Sequence, residues 1–156
     1  MRFFIFLLLC GLFLDGHCQQ HFSLPLRSLK LTSTFGPRQH PILKRADFHK
    51  GIDLSARTEP VLAVLPGRVA AVGYDSILGH FVRLDHGQIQ TIYGHLRLVC
   101  VSAGQMIDAA QVLGVTGSSG RSTGEHLHFA VSHKGNYLDP LDFLWGLWQM
   151  EGNKTN

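Results

Sequence analysis

The segment Glu125-His126-Leu127-His128-Phe129-Ala130-Val131 decides how this chain is read. Residues two apart on a β-strand project from the same face. Taken as a strand, the segment sends Leu127, Phe129 and Val131 towards a core and sets the imidazoles of His126 and His128 side by side on the other face. Two polar, metal-capable side chains on one face of an otherwise apolar strand need a reason. A second cluster upstream, His49-Lys50-Gly51-Ile52-Asp53, supplies another imidazole and a carboxylate. Two histidines with one aspartate suit a zinc ion that keeps one coordination position open. Strand geometry leaves undecided which of His126 and His128 would bind the metal.

Working outward, short apolar runs recur at residues 61–65, 68–74, 80–84, 90–93, 111–115 and 127–131, rich in Val, Ile, Phe and Tyr. Such runs favour strands. Pro66-Gly67, His86-Gly87, Ala103-Gly104, residues 117–120 and Lys134-Gly135-Asn136 separate them with turn chemistry. Regular spacing without long helical periods predicts an all-β fold, an antiparallel β-sandwich or curled sheet rather than parallel βαβ units. Residues 140–150 are the exception and read as a short C-terminal helix, with Pro140 near its start. That helix is expected to close one end of the sheet.

The first 18 residues read as a secretory signal. Arg2 precedes an uncharged apolar run, residues 3–14, and Gly16-His17-Cys18 offers a cleavage site. The run is 12 residues long, short of the roughly 20 that span a bilayer as a helix. An anchor on Cys18, or an uncleaved one, is the alternative. Residues 19–30 then form a lead that could lie over part of a groove, residues 31–145 the domain, and residues 146–156 a tail. The roughly 140 residues left after cleavage suffice for one compact domain.

Only Cys100 would remain after cleavage, inside Leu98-Val99-Cys100-Val101, and it reads as a small buried hydrophobe. The formal net charge of +3 fits an anionic polymer as partner without requiring one. No basic stretch interleaved with aromatics marks a nucleic-acid surface. The loop Gly117-Ser118-Ser119-Gly120-Arg121-Ser122-Thr123-Gly124 lacks the lysine and following helix of a phosphate cradle, which excludes nucleotide binding.

If one of the paired histidines holds metal, the other lies close enough to act on water or substrate as acid, base or oxyanion partner. His95, in Tyr93-Gly94-His95-Leu96, is the best further candidate for that role.

With these motifs assembled, the chain resembles the lysostaphin/LytM-type zinc peptidases of metallopeptidase family M23. The matching stretches are Phe35-Gly36-Pro37-Arg38 with His40-Pro41, then Phe48-His49-Lys50-Gly51-Ile52-Asp53-Leu54 and residues 61–67. Leu84-Asp85-His86-Gly87, Tyr93-Gly94-His95-Leu96 and residues 114–129 follow, so the likeness runs over roughly residues 31–143. The resemblance implies an antiparallel β fold and one Zn2+ held by His49, Asp53 and His128. It further implies that His95 and His126 flank the open position, polarising water and stabilising the tetrahedral intermediate. The implied reaction is endopeptidase cleavage within peptidoglycan stem peptides or cross-bridges.

An exported monomer acting in the periplasm, cell envelope or medium follows as the expectation, with peptidoglycan as partner, no nucleic acid, and no membrane contact beyond the signal. The alternatives are a catalytically silent domain that binds the wall or activates an amidase, and a secreted protease acting on glycine-rich proteins.

Glu125 stands where the family commonly has proline. It is expected to point to solvent, although turned inward it would act on His126. His86 is expected to shape a turn, and His80 and His133 to lie on the surface. His40 is placed beside the groove as often as away from it. Arg38 and Arg121 would either bind substrate carboxylates or serve as structural donors.

Overall fold

In the computed structural model, residues 22–39 and 46–153 are described. The expected signal at residues 1–18, and His40, lie outside the described residues. The strands in chain order are β1 (Leu31–Ser33), β2 (Gly36–Gln39), β3 (Ala46–His49), β4 (Ile52–Ser55), β5 (Pro60–Leu62) and β6 (Gly67–Asp75). They continue with β7 (Gly79–Asp85), β8 (Ile89–Val99), β9 (Met106–Ile107), β10 (Val112–Thr116), β11 (His126–His133) and β12 (Asn136–Leu138). One helix, α1 (Pro140–Gly152), ends the described chain.

The main sheet runs β1-β4-β11-β8-β7-β6-β9, with β10 joining β8 to β5 and β12 added to β11; β2 and β3 form a separate two-stranded sheet. Its strand pairs are antiparallel, as the short, turn-punctuated runs predict. Two-faced alternation places the core. On β11 the odd-numbered Leu127, Phe129 and Val131 are fully buried, as are Ile52 and Leu54 on β4. Leu26 from the lead, Val61 from β5, Leu113 from β10 and Leu144 from α1 complete the apolar interior.

The described part of the lead, residues 22–30, does not line the histidine groove. Ser23 N donates to Val64 O (2.8 Å), Leu62 N to Pro25 O (3.0 Å) and Ser55 N to Lys30 O (2.8 Å), tying it to β4 and β5. Its Phe22, Leu24 and Leu29 face Trp145 and Trp148 of α1 across an apolar groove. The helix starts as predicted. Asp139 caps it, its side chain accepting from Leu141 N at 2.9 Å, and Pro140 follows. It runs past residue 145, and Leu147 still packs on the core. Among the described residues no helix is long and apolar enough to cross a membrane.

One expectation fails. Cys100 is exposed, not buried. β8 ends at Val99, and at this sheet rim Val101 takes the interior place while Leu98 is 55% exposed. Apolar composition alone cannot tell a rim from a core.

His86 shapes a turn, as expected. Its Nδ1–H donates to Pro66 O at 2.7 Å. In the neutral ring Nε2 must then accept, here from the Thr91 hydroxyl at 2.8 Å. Thr91 Oγ1 in turn lies 3.2 Å from the Tyr93 hydroxyl, which accepts Val64 N–H at 2.9 Å. Burial pushes the Tyr93 phenol up to about 12.

Burial also holds His86 below its ordinary 6.5, against the opposing pull of the Pro66 hydrogen bond and Asp85. The unfolded chain therefore takes a proton at His86 before the folded one. Stability from this group is complete above the unfolded value and is lost as pH falls below it. Thermal melts at pH ~7.5 and ~5.5 should show a smaller acid-induced drop in Tm for His86→Gln than for the native chain. Equal drops would place the titration elsewhere.

Candidate metal centre

β11 is paired on both sides where the site forms. His128 sits opposite Asp53 of β4 and opposite Gly94 of β8. Asp53, flanked by the core residues Ile52 and Leu54, must face away from the interior, and so must His128. The bend at Lys50-Gly51 then returns β3 so that His49, four residues before Asp53, meets the same spot.

Three donor atoms converge there. His128 Nδ1 lies 2.9 Å from Asp53 Oδ1 and 3.1 Å from His49 Nε2, and His49 Nε2 lies 3.1 Å from Asp53 Oδ1. His49 and His128 are buried, at 4% and 8% exposure. His49 Nδ1 donates to Thr34 O at 2.8 Å, so in the neutral ring Nε2 carries a lone pair into the cluster. Burial alone would raise the Asp53 carboxyl, but hydrogen bonds with His128 and His49 outweigh it and hold it well below the usual carboxylate range. Burial depresses His128 below 6.5, with Asp53 pulling the other way. A carboxylate oxygen and two imidazole nitrogens converging at this spacing form a donor set for a cation.

Arg38 orients the carboxylate from outside. Its Nη1 lies 3.5 Å from Asp53 Oδ2, leaving Oδ1 to face the histidines, and donates to Ser33 Oγ at 2.8 Å. Ser33 Oγ in turn lies 3.4 Å from His49 Nδ1. Of its two expected roles, Arg38 takes the structural one, and it is a contact that the sequence reading did not connect to Asp53.

His95 reaches the site through an irregularity. Strict alternation after the buried Tyr93 would turn residue 95 into the core. Instead His95 has φ +60°, a left-handed conformation rare outside glycine. The pairing of β7 with β8 slips between the His80–Leu96 and Val82–Tyr93 pairs. This bulge swings the imidazole onto the histidine face. Its ring centroid lies 4.6 Å from that of His126 and 5.9 Å from that of His128. His95 Nδ1 donates to Ser119 O at 2.8 Å, and His126 Nδ1 to Gly124 O at 2.8 Å. Both rings thus spend Nδ1 on a backbone carbonyl and turn Nε2 to the centre. Burial, reinforced by the nearby His126 and His128, pulls His95 down to about 4 despite the Ser119 bond, so it is neutral at pH 7.

The glycine-rich loop before β11 is a bracket for His95. A Cβ on Gly79, whose φ is +65°, would fall 2.3–2.4 Å from Ser119 atoms, so only glycine lets the loop close on the β6–β7 hairpin. Ser119 Oγ donates to Leu96 O at 2.6 Å and accepts His80 N–H at 2.9 Å, which fixes the carbonyl that holds His95.

The five residues singled out in sequence therefore stand together in one groove of about 570 Å3, whose rim includes Arg121. Glu125 is exposed and turned away from His126, accepting from Thr58 N–H and from Thr116 Oγ1. His86, His80 and His133 lie outside the groove.

The profile of Peptidase family M23 matches residues 47–140. The chain belongs to peptidase family M23. A protein of Haemophilus influenzae described as an uncharacterized metalloprotease is 38% identical over 119 residues, 74% of this chain and 25% of that protein. A DD-carboxypeptidase/endopeptidase of Neisseria meningitidis is 35% identical over 119 residues, 75% of this chain and 27% of that protein. A zinc-containing peptidase from Vibrio cholerae superposes with a TM-score of 0.72 at 31% identity, over 78% of this chain and 39% of that one. This M23 chain thus spans about a quarter of the length of these curated relatives.

Gly51 is where the centre is most easily broken. A Cβ there would lie 2.5 Å from Phe129 O and 2.9 Å from His128 Nε2. Gly51→Ala should therefore push β11 and the His128 ring outward. It should cost about 1–3 kcal/mol in urea unfolding, as overpacked sites do, and shift the His128 imidazole resonances. Native stability with unmoved resonances would refute the contact.

Proposed function

We propose that this M23 chain is an exported, monomeric zinc endopeptidase that hydrolyses peptide bonds in peptidoglycan stem peptides or cross-bridges within the cell envelope. The observation that carries the reading is the donor triangle of His49, Asp53 and His128, faced by two further imidazoles that each present Nε2. The donor separations of 2.9–3.1 Å approach the roughly 3.3 Å that tetrahedral bonds of about 2.0–2.1 Å impose. The names of the Neisseria and Vibrio relatives support the reaction class and the metal.

His49, Asp53 and His128 would hold one Zn2+, which when bound polarises a carbonyl oxygen and lowers the pKa of water. The remaining steps belong to the chain's own side chains. His95, neutral and bonded through Nδ1 to Ser119 O, has an unprotonated Nε2 ready to take the proton of the attacking water. His126, fixed through Gly124 O, presents its Nε2 3.6 Å from Asp53 Oδ1. From there it is placed to act on the developing oxyanion or the leaving amine.

Two variants separate these roles. His128→Ala, lacking one of three ligands, should purify without stoichiometric zinc. His126→Ala should keep its zinc and lose turnover by about two to three orders of magnitude, as on removal of an oxyanion donor. Equal metal loss in both would show the roles wrongly divided. The reaction is tested by incubating the zinc-loaded protein with purified sacculi and resolving muropeptides by mass. New cleaved cross-links or stem peptides are expected; unchanged profiles across cross-link types would defeat the proposal.

A further inference from the structure

Arg83 lines the groove and has no ion-pair partner among the described residues. It lies on β7 between the core residues Val82 and Leu84, so its side chain faces the same way as the histidines. Cross-strand pairing sets Arg83 beside Ile92 of β8, and Ile92 beside Ala130 of β11. This row is the next one along the sheet from His128 and Gly94. Two residues along a strand separate the rows by about 7 Å.

Among the described residues Arg83 makes no hydrogen bond and no ion pair, and its Nε–H is buried without an acceptor. Arg38 shares the buried, unanswered Nε–H but has Asp53 as counter-ion. Arg83 has neither acceptor nor counter-ion among the described residues, which is costly for a charged group and leaves it open to an incoming anion. The nearby acids are otherwise engaged or aimed. Asp75 Oδ1 accepts from Ile77 and Leu78 N–H in the β6–β7 turn, and Asp53 is held by Arg38 and the histidines. Lys50, over the Tyr137 ring at 5.2 Å, adds a second positive charge to this end of the groove.

We propose that Arg83 is a specificity-determining residue that binds a free carboxylate of the substrate peptide, carried within about two residues of the bond that is cut, since an extended chain advances about 3.3 Å per residue. The guanidinium offers Nε–H and an adjacent N–H as the planar fork that a carboxylate accepts. Phosphate would match the charge, but a groove one peptide wide beside a peptidase centre favours the planar anion. The inference rests on the endopeptidase reading for the word substrate; the anion site itself does not.

The test uses a matched pair of wall-derived peptides that differ only in one group near the scissile bond, free carboxylate against carboxamide. Both are titrated calorimetrically into the zinc-loaded protein and assayed for cleavage. The native chain should prefer the carboxylate by roughly 10–100-fold, the range of a charge-assisted hydrogen bond. In Arg83→Gln the preference should fall to about twofold or less, expressed as a raised KM with kcat little changed. Arg83→Lys should restore part of it. Zinc content should be unchanged and Tm should not fall in either variant, because no internal bond is lost.

A native protein that treats the two peptides alike, or an Arg83→Gln protein that keeps the preference, overturns the proposal. Preferred binding of the carboxylate without cleavage of either peptide would sink the endopeptidase reading and leave the anion site standing. Equal cleavage of both would do the reverse.

Discussion

The register of β11 between β4 and β8 is the constraint from which the site follows. Because side chains alternate, one choice of register settles two things together. It buries Leu127, Phe129 and Val131, and it sets His128 against Asp53 on one side and Gly94 on the other. A slip of one residue would turn both histidines into the core and three large apolar side chains into water. The hydrophobic effect thus guards a polar arrangement that has little stability of its own. Buried imidazoles and a carboxylate without a cation are desolvated groups in mutual contact. The sheet holds them there because the opposite face cannot be given up.

Different parts of this arrangement were legible in sequence to different degrees. Alternation in residues 127–131 and the turn residues between short runs announced an antiparallel sheet. The same alternation placed His126 with His128, and the cluster at residues 49–53 completed the donor set. His95 was beyond the reach of periodicity, since its place depends on a bulge and a positive φ that contradict the alternation of its own strand. Its position at the end of a short strand made it a candidate, and the likeness of Tyr93-Gly94-His95-Leu96 to a known pattern gave it a role. Cys100 shows the opposite failure. Its neighbours Leu98 and Val101 look alike in sequence, yet one is 55% exposed and the other 8%. The difference is set by where β8 ends, which is tertiary information.

The carbonyl anchors belong to that second kind. Thr34, Ser119 and Gly124 contribute backbone oxygens, which leave no mark on side-chain identity. Each nevertheless decides a tautomer, and with it whether an imidazole brings a lone pair or a proton to the centre. The loop from Gly117 to Gly124 therefore acts through its shape. Its glycines let Ser119 approach the β6–β7 hairpin closely enough for one carbonyl to hold His95.

Two arginines lining the same groove make the clearest division of labour. Arg38 is answered by Asp53 and Ser33, so its charge is absorbed in orienting a carboxylate. Removing it would leave Asp53 free to turn its oxygens. Arg83 is answered by nothing in the described chain, and its hidden Nε–H is a standing cost in the free protein. A fold selected for stability alone would place an apolar residue opposite Ile92 on β7. Both arginines bury an Nε–H without an acceptor among the described residues, but Arg38 has Asp53 as its counter-ion, whereas Arg83 has none there until an anion enters the groove. That contrast separates the side chains that build the centre from the one left open for what it acts upon.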